Sequence, residues 1–256
     1  MDKRMGKVKW GDNNPRVKTS EQYWKQPLKW NKEAEGAKVR PRVFCASLAD
    51  WLDVRSPEDW LCDLLKLIHS TPNLDWLLLT KRPELFIARM HHALECDSWD
   101  GKNTYIFQWI KHIKIHDNIW IGTSVENQEM ADKRIPELLK IPAKVHFLSC
   151  EPLLDNVNLS KWIDCGPLAR MGVPPVPDVL RGPKIDWVIV GGESGPNARI
   201  NKWLPLWVSN LWQQCKWGKV PFFFKQWGGV KPKSNGRLLG GVEYNEFPNP
   251  TANYPI

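Results

Sequence analysis

The residues best placed to do chemistry in this chain stand where short apolar runs stop. Trp187 to Val190 ends at Gly191-Gly192-Glu193-Ser194-Gly195, and Phe222 to Phe224 ends at Lys225-Gln226-Trp227-Gly228. Ile119 to Ile121 leads to Thr123-Ser124-Val125-Glu126-Asn127, and Val145 to Leu148 leads to Ser149-Cys150-Glu151. Trp76 to Leu79 stops at Thr80-Lys81-Arg82, and Val43 to Ala46 stops at Ser47 and Asp50. Paired glycines at the end of a buried strand let backbone N–H groups hold a carboxylate or phosphate, and an adjacent acid accepts from an amine. Gly191, Gly192, Glu193 and Ser194 are therefore expected to bind the amino-acid end of a ligand such as S-adenosylmethionine. A tight turn with a solvent-facing acid is the plain alternative.

Two carboxylates on one rim, Glu126 and Glu151, can divide acid and base roles if their surroundings separate their pKa values. They can equally hydrogen-bond a ribose or base, or cap the next helix, as Asn127 is placed to do. Lys225 follows three phenylalanines, so its stem is expected in apolar surroundings with a ligand or an acidic partner at its tip. Glu126, Glu151 and Lys225 are the catalytic candidates. Lys81, Arg82, Asn127 and Gln226 are the candidates for substrate or phosphate, since Arg offers a planar two-point contact. The competing reading of Lys81 and Arg82 is a solvated pair at a helix start. Cys150, beside Glu151, is either a ligand-facing thiol or a filler.

What could gather these residues is a parallel sheet. Short runs with little polar alternation mark strands covered on both faces, and reactive groups collect at the carboxyl ends of such strands. Strands are expected at 42–47, 73–80, 118–125, 144–149, 185–190 and 220–225. A helix is expected from about Ser20 to Ala37, with Pro27 interrupting it, and another from Ser56, with Pro57 in its first turn. Further helices are expected at 83–94, around 106–113, from Gln128 with a break at Pro136, and at 204–216. The stretch 153–184 reads as a long irregular excursion of the kind that forms lids and binding loops. No glycine-rich dinucleotide fingerprint follows the first strand, which favours a partial barrel over a doubly wound sheet. The organisation is a basic arm over 1–41, a barrel over 42–230 and an irregular tail over 231–256.

Composition narrows the class. No apolar stretch approaches the roughly 18 residues a membrane helix needs, and no hydrophobic segment follows the first residues, so a cytoplasmic protein is expected. The six cysteines lie far apart, which excludes a zinc ribbon and a secreted disulfide framework. His112 and His116 are four apart, but no third ligand stands near them, so no metal site is assigned. The formal charge is +8, of which residues 1–42 carry twelve Lys/Arg against five Asp/Glu, a net of +7. Such an arm suits a phosphate backbone, and its Trp10, Tyr23, Trp24 and Trp30 suit base stacking. They equally suit docking of the arm on the barrel.

At the strand ends the chain resembles a family. Arg42 to Asp50, Leu77 to Pro83, Ser124 to Gln128, Phe147 to Leu153, Val190 to Gly195 and Phe223 to Gly228 are similar to segments of phage and prophage three-cysteine-motif proteins, whose function is unassigned. That resemblance spans roughly residues 20–230 and implies a radical-S-adenosylmethionine-like α/β fold, a partial parallel (β/α)6-type barrel. In such enzymes three cysteines hold an iron–sulfur cluster that binds and cleaves the cofactor. Here the close three-cysteine spacing is missing, and with it the first strand is expected to be missing. The cluster is then expected only if an upstream segment supplies the cysteines, and the exposed sheet edge invites a protein partner or self-association. Three functions remain open. One is a radical-enzyme-like barrel acting on nucleic acid or a nucleotide without its own cluster. The others are a noncatalytic nucleic-acid-binding protein and a redox-free barrel enzyme acting on a phosphorylated substrate.

Overall fold

The computed structural model describes residues 14–45, 49–95, 100, 102–111, 116–163 and 184–249. Six strands are β1 (Arg42–Cys45), β2 (Asp75–Thr80), β3 (Ile119–Ser124), β4 (Val145–Cys150), β5 (Trp187–Gly191) and β6 (Phe222–Gln226). They form one sheet in the order β1-β2-β3-β4-β5-β6. β1 pairs with β2, β4 with β5 and β5 with β6, each in parallel. A doubly wound sheet reverses its order at a switch point, whereas a (β/α) barrel keeps the order of the chain. The fold is an α/β partial parallel barrel.

Every residue of β3, β4 and β5 is buried, as strands covered on both faces must be. The helices are α1 (Glu21–Glu33), α2 (Glu58–His69), α3 (Phe86–Glu95), α4 (Lys102–Ile110), α5 (Gln128–Leu138) and α6 (Leu204–Gly218). No helix among the described residues is long and apolar enough to cross a membrane.

The chain divides into two compact units, Met1–Trp120 and Ile121–Ile256. In the first, Trp51 stacks on Trp109 with centroids 6.5 Å apart, and Phe86 meets Trp109 edge-on at 5.1 Å. His116 stacks on Tyr105 at 3.9 Å and is buried, so it is a core ring. His112 lies outside the described residues. α1 is docked rather than free. Arg16 bonds the Asp53 carboxylate at 2.7 Å, Lys18 pairs with Asp63, and the Asn31 side chain accepts from the Asn73 N–H at 2.8 Å. Four of the described arm cations, Arg16, Lys18, Arg40 and Arg42, are thus held against this unit, the last two at Asp75 and over the Trp120 ring.

Two expected breaks do not occur. α1 continues through Pro27 and α5 through Pro136, although each proline removes one backbone hydrogen bond. Pro27 is buried, so packing offsets that loss; Pro136 sits in the last turn of α5, where few bonds follow it. Ser56 makes no cap either, because the residue before α2 is Pro57 and no side chain bonds the helix N-terminus. At the end of α6 the left-handed residue is Lys219 (φ 55°), not Gly218, which stays helical.

In the second unit the excursion after β4 is a strap, at least over the described residues 153–163. Val157 and Leu159 are fully buried, and the Gln214 side chain of α6 accepts from the Leu159 N–H at 2.7 Å while donating to the Val157 carbonyl at 2.9 Å. The remainder of the expected lid, 164–183, lies outside the described residues. Past β6, the Phe224 N–H donates to the Tyr244 carbonyl and Phe223 bridges Asn245 in antiparallel sense, so this stretch covers the outer edge of β6.

Asp186, at the start of β5, accepts from the His146 N–H at 2.8 Å and is nearly buried. Burial pushes its carboxyl up to about 6, against the pull of that N–H and of Lys184 and Lys144. The folded state therefore binds a proton that the unfolded chain has released by about pH 4, and stability falls as pH rises from about 4 to about 6. Asp186→Asn removes that penalty while keeping an acceptor for His146. Urea unfolding is expected to show the variant gaining about 3 kcal/mol relative to wild type between pH 4 and pH 7.

Candidate functional site

Successive strand ends of the second unit are stitched by backbone bonds past the sheet itself. The Leu154 N–H donates to the Glu126 carbonyl at 2.8 Å, Leu153 to Gly191 at 2.9 Å, and Gly192 to Gln226 at 2.9 Å. The loops after β3, β4, β5 and β6 therefore form one continuous rim, and three carboxylates sit on it.

Each carboxylate has a cation of its own. Glu126 accepts from Arg134 of α5 at 2.7 Å, and the same nitrogen donates to the Ser124 carbonyl at 2.8 Å. Both side chains are buried nearly completely. Glu193 is gripped three times by Arg199, from its backbone N–H at 2.7 Å and from its guanidinium at 2.8 and 2.9 Å. Those bonds hold the Glu193 carboxyl below the usual carboxylate range. Glu151 accepts from the Lys225 ammonium at 2.7 Å on one oxygen and from the Gln226 amide at 3.1 Å on the other.

The Glu151 arrangement depends on an irregularity in the sheet. Consecutive residues of a regular strand point to opposite faces, so Lys225 and Gln226 could not both reach one carboxylate. The register runs Val190 to Phe224 and then Gly191 to Gln226, which leaves Lys225 as an extra residue on β6. That bulge turns both side chains toward Glu151, and bulges of this kind cluster beside active sites because they re-aim a side chain. β4 and β6 flank β5, about 9–10 Å apart. The Glu151–Lys225 bridge thus closes over the end of β5, where Gly191 stands. A Cβ on Gly191 would lie 3.2 Å from the Glu151 Cδ and Cγ, so the bare backbone is what lets the carboxylate lie there. Lys225 is half exposed, whereas only 18% of the Glu151 side chain is. Gln226 is buried and also accepts from the Lys233 N–H at 2.8 Å, which fixes its amide.

The neighbouring glycines serve packing. A Cβ on Gly192 would stand 2.1 Å from the Trp227 carbonyl oxygen, and one on Gly228 (φ 85°) 2.1 Å from the Glu193 carbonyl oxygen. The space above Gly192 is therefore filled by the chain itself. Ser194 pairs with Gly229 through a parallel bridge, and its hydroxyl is buried. Asn127 caps α5, its side chain accepting from the Met130 N–H at 2.9 Å. Cys150 is wholly buried; burial and the charge of Glu126 push its thiol up, which keeps it protonated and inert.

In the first unit, the donors expected to hold phosphate are gathered by an acid. Asp50 accepts from the Thr80 hydroxyl at 2.7 Å, the Lys81 N–H at 2.9 Å and the Arg82 guanidinium at 3.0 Å. This carboxylate ties the β1 and β2 loops together.

Arg134 and Arg199 are not among the sequence candidates, and Asp50 stands there only as a stop after the first apolar run. Arg134 left a signal: it shares a helical face with the buried Ala131, Ile135 and Leu138, where a cation needs an acidic partner. Arg199 left only its place in the loop after Glu193.

A family model described as a protein of unknown function, DUF5131, matches residues 1–248. The chain belongs to this family. The DUF5131 match runs through both units and every strand end described above. No curated protein and no solved structure matches the chain.

Proposed function

We propose that this chain is a phage-type, radical-S-adenosylmethionine-like barrel protein whose rim takes a zwitterionic aminocarboxyl group, that of S-adenosylmethionine, ahead of action on a nucleic acid or nucleotide. The observation that carries the reading is the Glu151–Lys225 pair closing over Gly191 on a β-bulge. An amino acid's ammonium replaces Lys225 on Glu151, and its carboxylate takes the displaced lysine. Lys225 is half in water, so little is lost when it leaves. Gln226 keeps hold of the second Glu151 oxygen throughout, so the acceptor stays aimed.

The fit of the cofactor to the other candidates is poorer. Glu193 is already saturated by Arg199, and the Gly192 cradle is filled by the Trp227 carbonyl. For an iron–sulfur cluster, no group of three His, Cys, Asp or Glu among the described residues could hold a metal ion. Cys62, Cys150 and Cys215 are buried and Cys45 is half-buried, and Cys96 and Cys165 lie outside the described residues. No radical step is assigned to these residues; what they do is bind and orient. The phosphorylated-substrate reading is weakened by Asp50, which occupies the Lys81 N–H and the Arg82 guanidinium.

Calorimetric titration with S-adenosylmethionine is expected to show one site. Glu151→Gln lowers the affinity at least tenfold, the size of a charge-assisted hydrogen bond, and Lys225→Met lowers it less. Adenosine, which lacks the aminocarboxyl group, is expected to bind both variants as it binds wild type. No heat with wild type, or equal affinity in Glu151→Gln, defeats the reading.

A further inference from the structure

The charge of the first 42 residues draws attention to the arm, but the longest acid-free stretch lies elsewhere. Between Glu193 and Glu243 there is no acidic residue, while Arg199, Lys202, Lys216, Lys219, Lys225, Lys231, Lys233 and Arg237 all fall inside that interval, eight cations against none. The fold sorts them. Lys216 and Lys219 stand at the C-terminal end of α6, away from the strand ends. Lys202 precedes the N-terminus of α6, and Lys231 and Lys233 lie on the turn after β6.

Those two loops are sewn together. The Gly229 N–H donates to the Glu193 carbonyl at 2.8 Å, and the Gly195 N–H donates to the Gly229 carbonyl at 2.9 Å. Lys202, Lys231 and Lys233 are all exposed, and among the described residues no acidic side chain pairs with them. Lys233 holds a left-handed backbone (φ 63°), a conformation that glycine adopts more easily. Beside Lys202 stands Trp203, 53% exposed, with the ammonium 5.3 Å from its ring centroid. An exposed indole with the Lys202 ammonium against it, on a loop bonded to the one that carries Lys231 and Lys233, has the two components of a single-strand platform: a flat face for a base and positive charge for the backbone.

We infer that the β5–β6 end of the second unit docks single-stranded nucleic acid, Trp203 stacking on a base while Lys202, Lys231 and Lys233 meet phosphates. The arm is the weaker surface, since half of its eight described cations through Arg42 are held against its own unit. Duplex is disfavoured because a paired base offers no open face to a side chain. This surface does not use Glu151 or Lys225, so it stands or falls separately from the ligand reading above.

The test is fluorescence anisotropy of a labelled 20-nucleotide oligo-dT, its duplex with oligo-dA, and a salt series, on the whole chain. Trp203→Ala is expected to weaken oligo-dT binding about tenfold with the salt slope unchanged. The double variant Lys231→Gln/Lys233→Gln is expected to weaken it similarly and to flatten the slope of log K against log salt by about 1.4, at roughly 0.7 per phosphate contact. An arm variant, Lys25→Gln/Lys29→Gln/Lys32→Gln, is expected to change it less than threefold. Failure to bind oligo-dT, a loss carried by the arm variant, or duplex bound as tightly as single strand with Trp203→Ala silent would each overturn the inference. Titrating the Lys231→Gln/Lys233→Gln variant with S-adenosylmethionine separates the two claims: cofactor binding retained while oligo-dT is lost leaves the ligand reading intact.

Discussion

Replacing Gly228 by alanine is expected to destabilise the protein by about 4 kcal/mol. Two separate effects add there. The residue sits at φ 85°, which costs an L side chain roughly 1–2 kcal/mol. The new Cβ would also stand 2.1 Å from the Glu193 carbonyl oxygen and 2.8 Å from the Gly192 carbonyl carbon, which are backbone and have no rotamer to escape into. Overpacking of this kind costs about 1–3 kcal/mol. Gly236→Ala is the matched control, because its φ is 76° and nothing lies within 4 Å of its Cβ. Only the conformational part remains there, about 1–2 kcal/mol. Urea unfolding of the two variants beside wild type measures the difference, and equal losses would show that the β5 and β6 loops are not packed as described.

Arg134→Met is expected to cost about 3–5 kcal/mol at pH 7, the price of leaving Glu126 buried without its cation. Side-chain exposure is 13% for Arg134 and 11% for Glu126, so water cannot replace the guanidinium. The loss should shrink as pH falls, because the orphaned carboxyl takes up a proton. Glu126→Gln/Arg134→Met is expected to recover most of the stability, since the charge that made the single variant unstable is gone. If instead the double variant lost as much as the sum of its parts, the pair would be independent and the interaction would not exist in solution.

Much of the architecture was legible in the chain because burial on both faces leaves a plain mark. Trp76 to Leu79 and Trp187 to Val190 carry no polar residue, and both lie inside strands within two residues of the expected bounds. The polarity of a parallel sheet then places Glu126, Glu151, Glu193 and Lys225 at strand ends. What each end does there was not legible. In the sequence Glu193 reads as open to an amine, yet Arg199 lies six residues on and bonds it, and nothing in the intervening loop signals that it folds back. The glycines of 191–192 read as room for a ligand, whereas Gly191 leaves the Glu151 carboxylate its place and Gly192 makes way for Trp227. A one-residue bulge has no sequence period, so the joint grip of Lys225 and Gln226 on Glu151 was invisible. Pro27 and Pro136 break a local rule about helix interiors for different reasons: burial of Pro27 offsets its lost bond, and Pro136 stands in the last turn of α5.

The most direct test of the account is a crystal structure of the chain with S-adenosylmethionine. The account predicts the methionyl ammonium within hydrogen-bond distance of Glu151, the Lys225 ammonium shifted onto the ligand carboxylate, and the Gln226 amide unmoved. A ligand bound elsewhere, with the bridge across Gly191 intact, would contradict it.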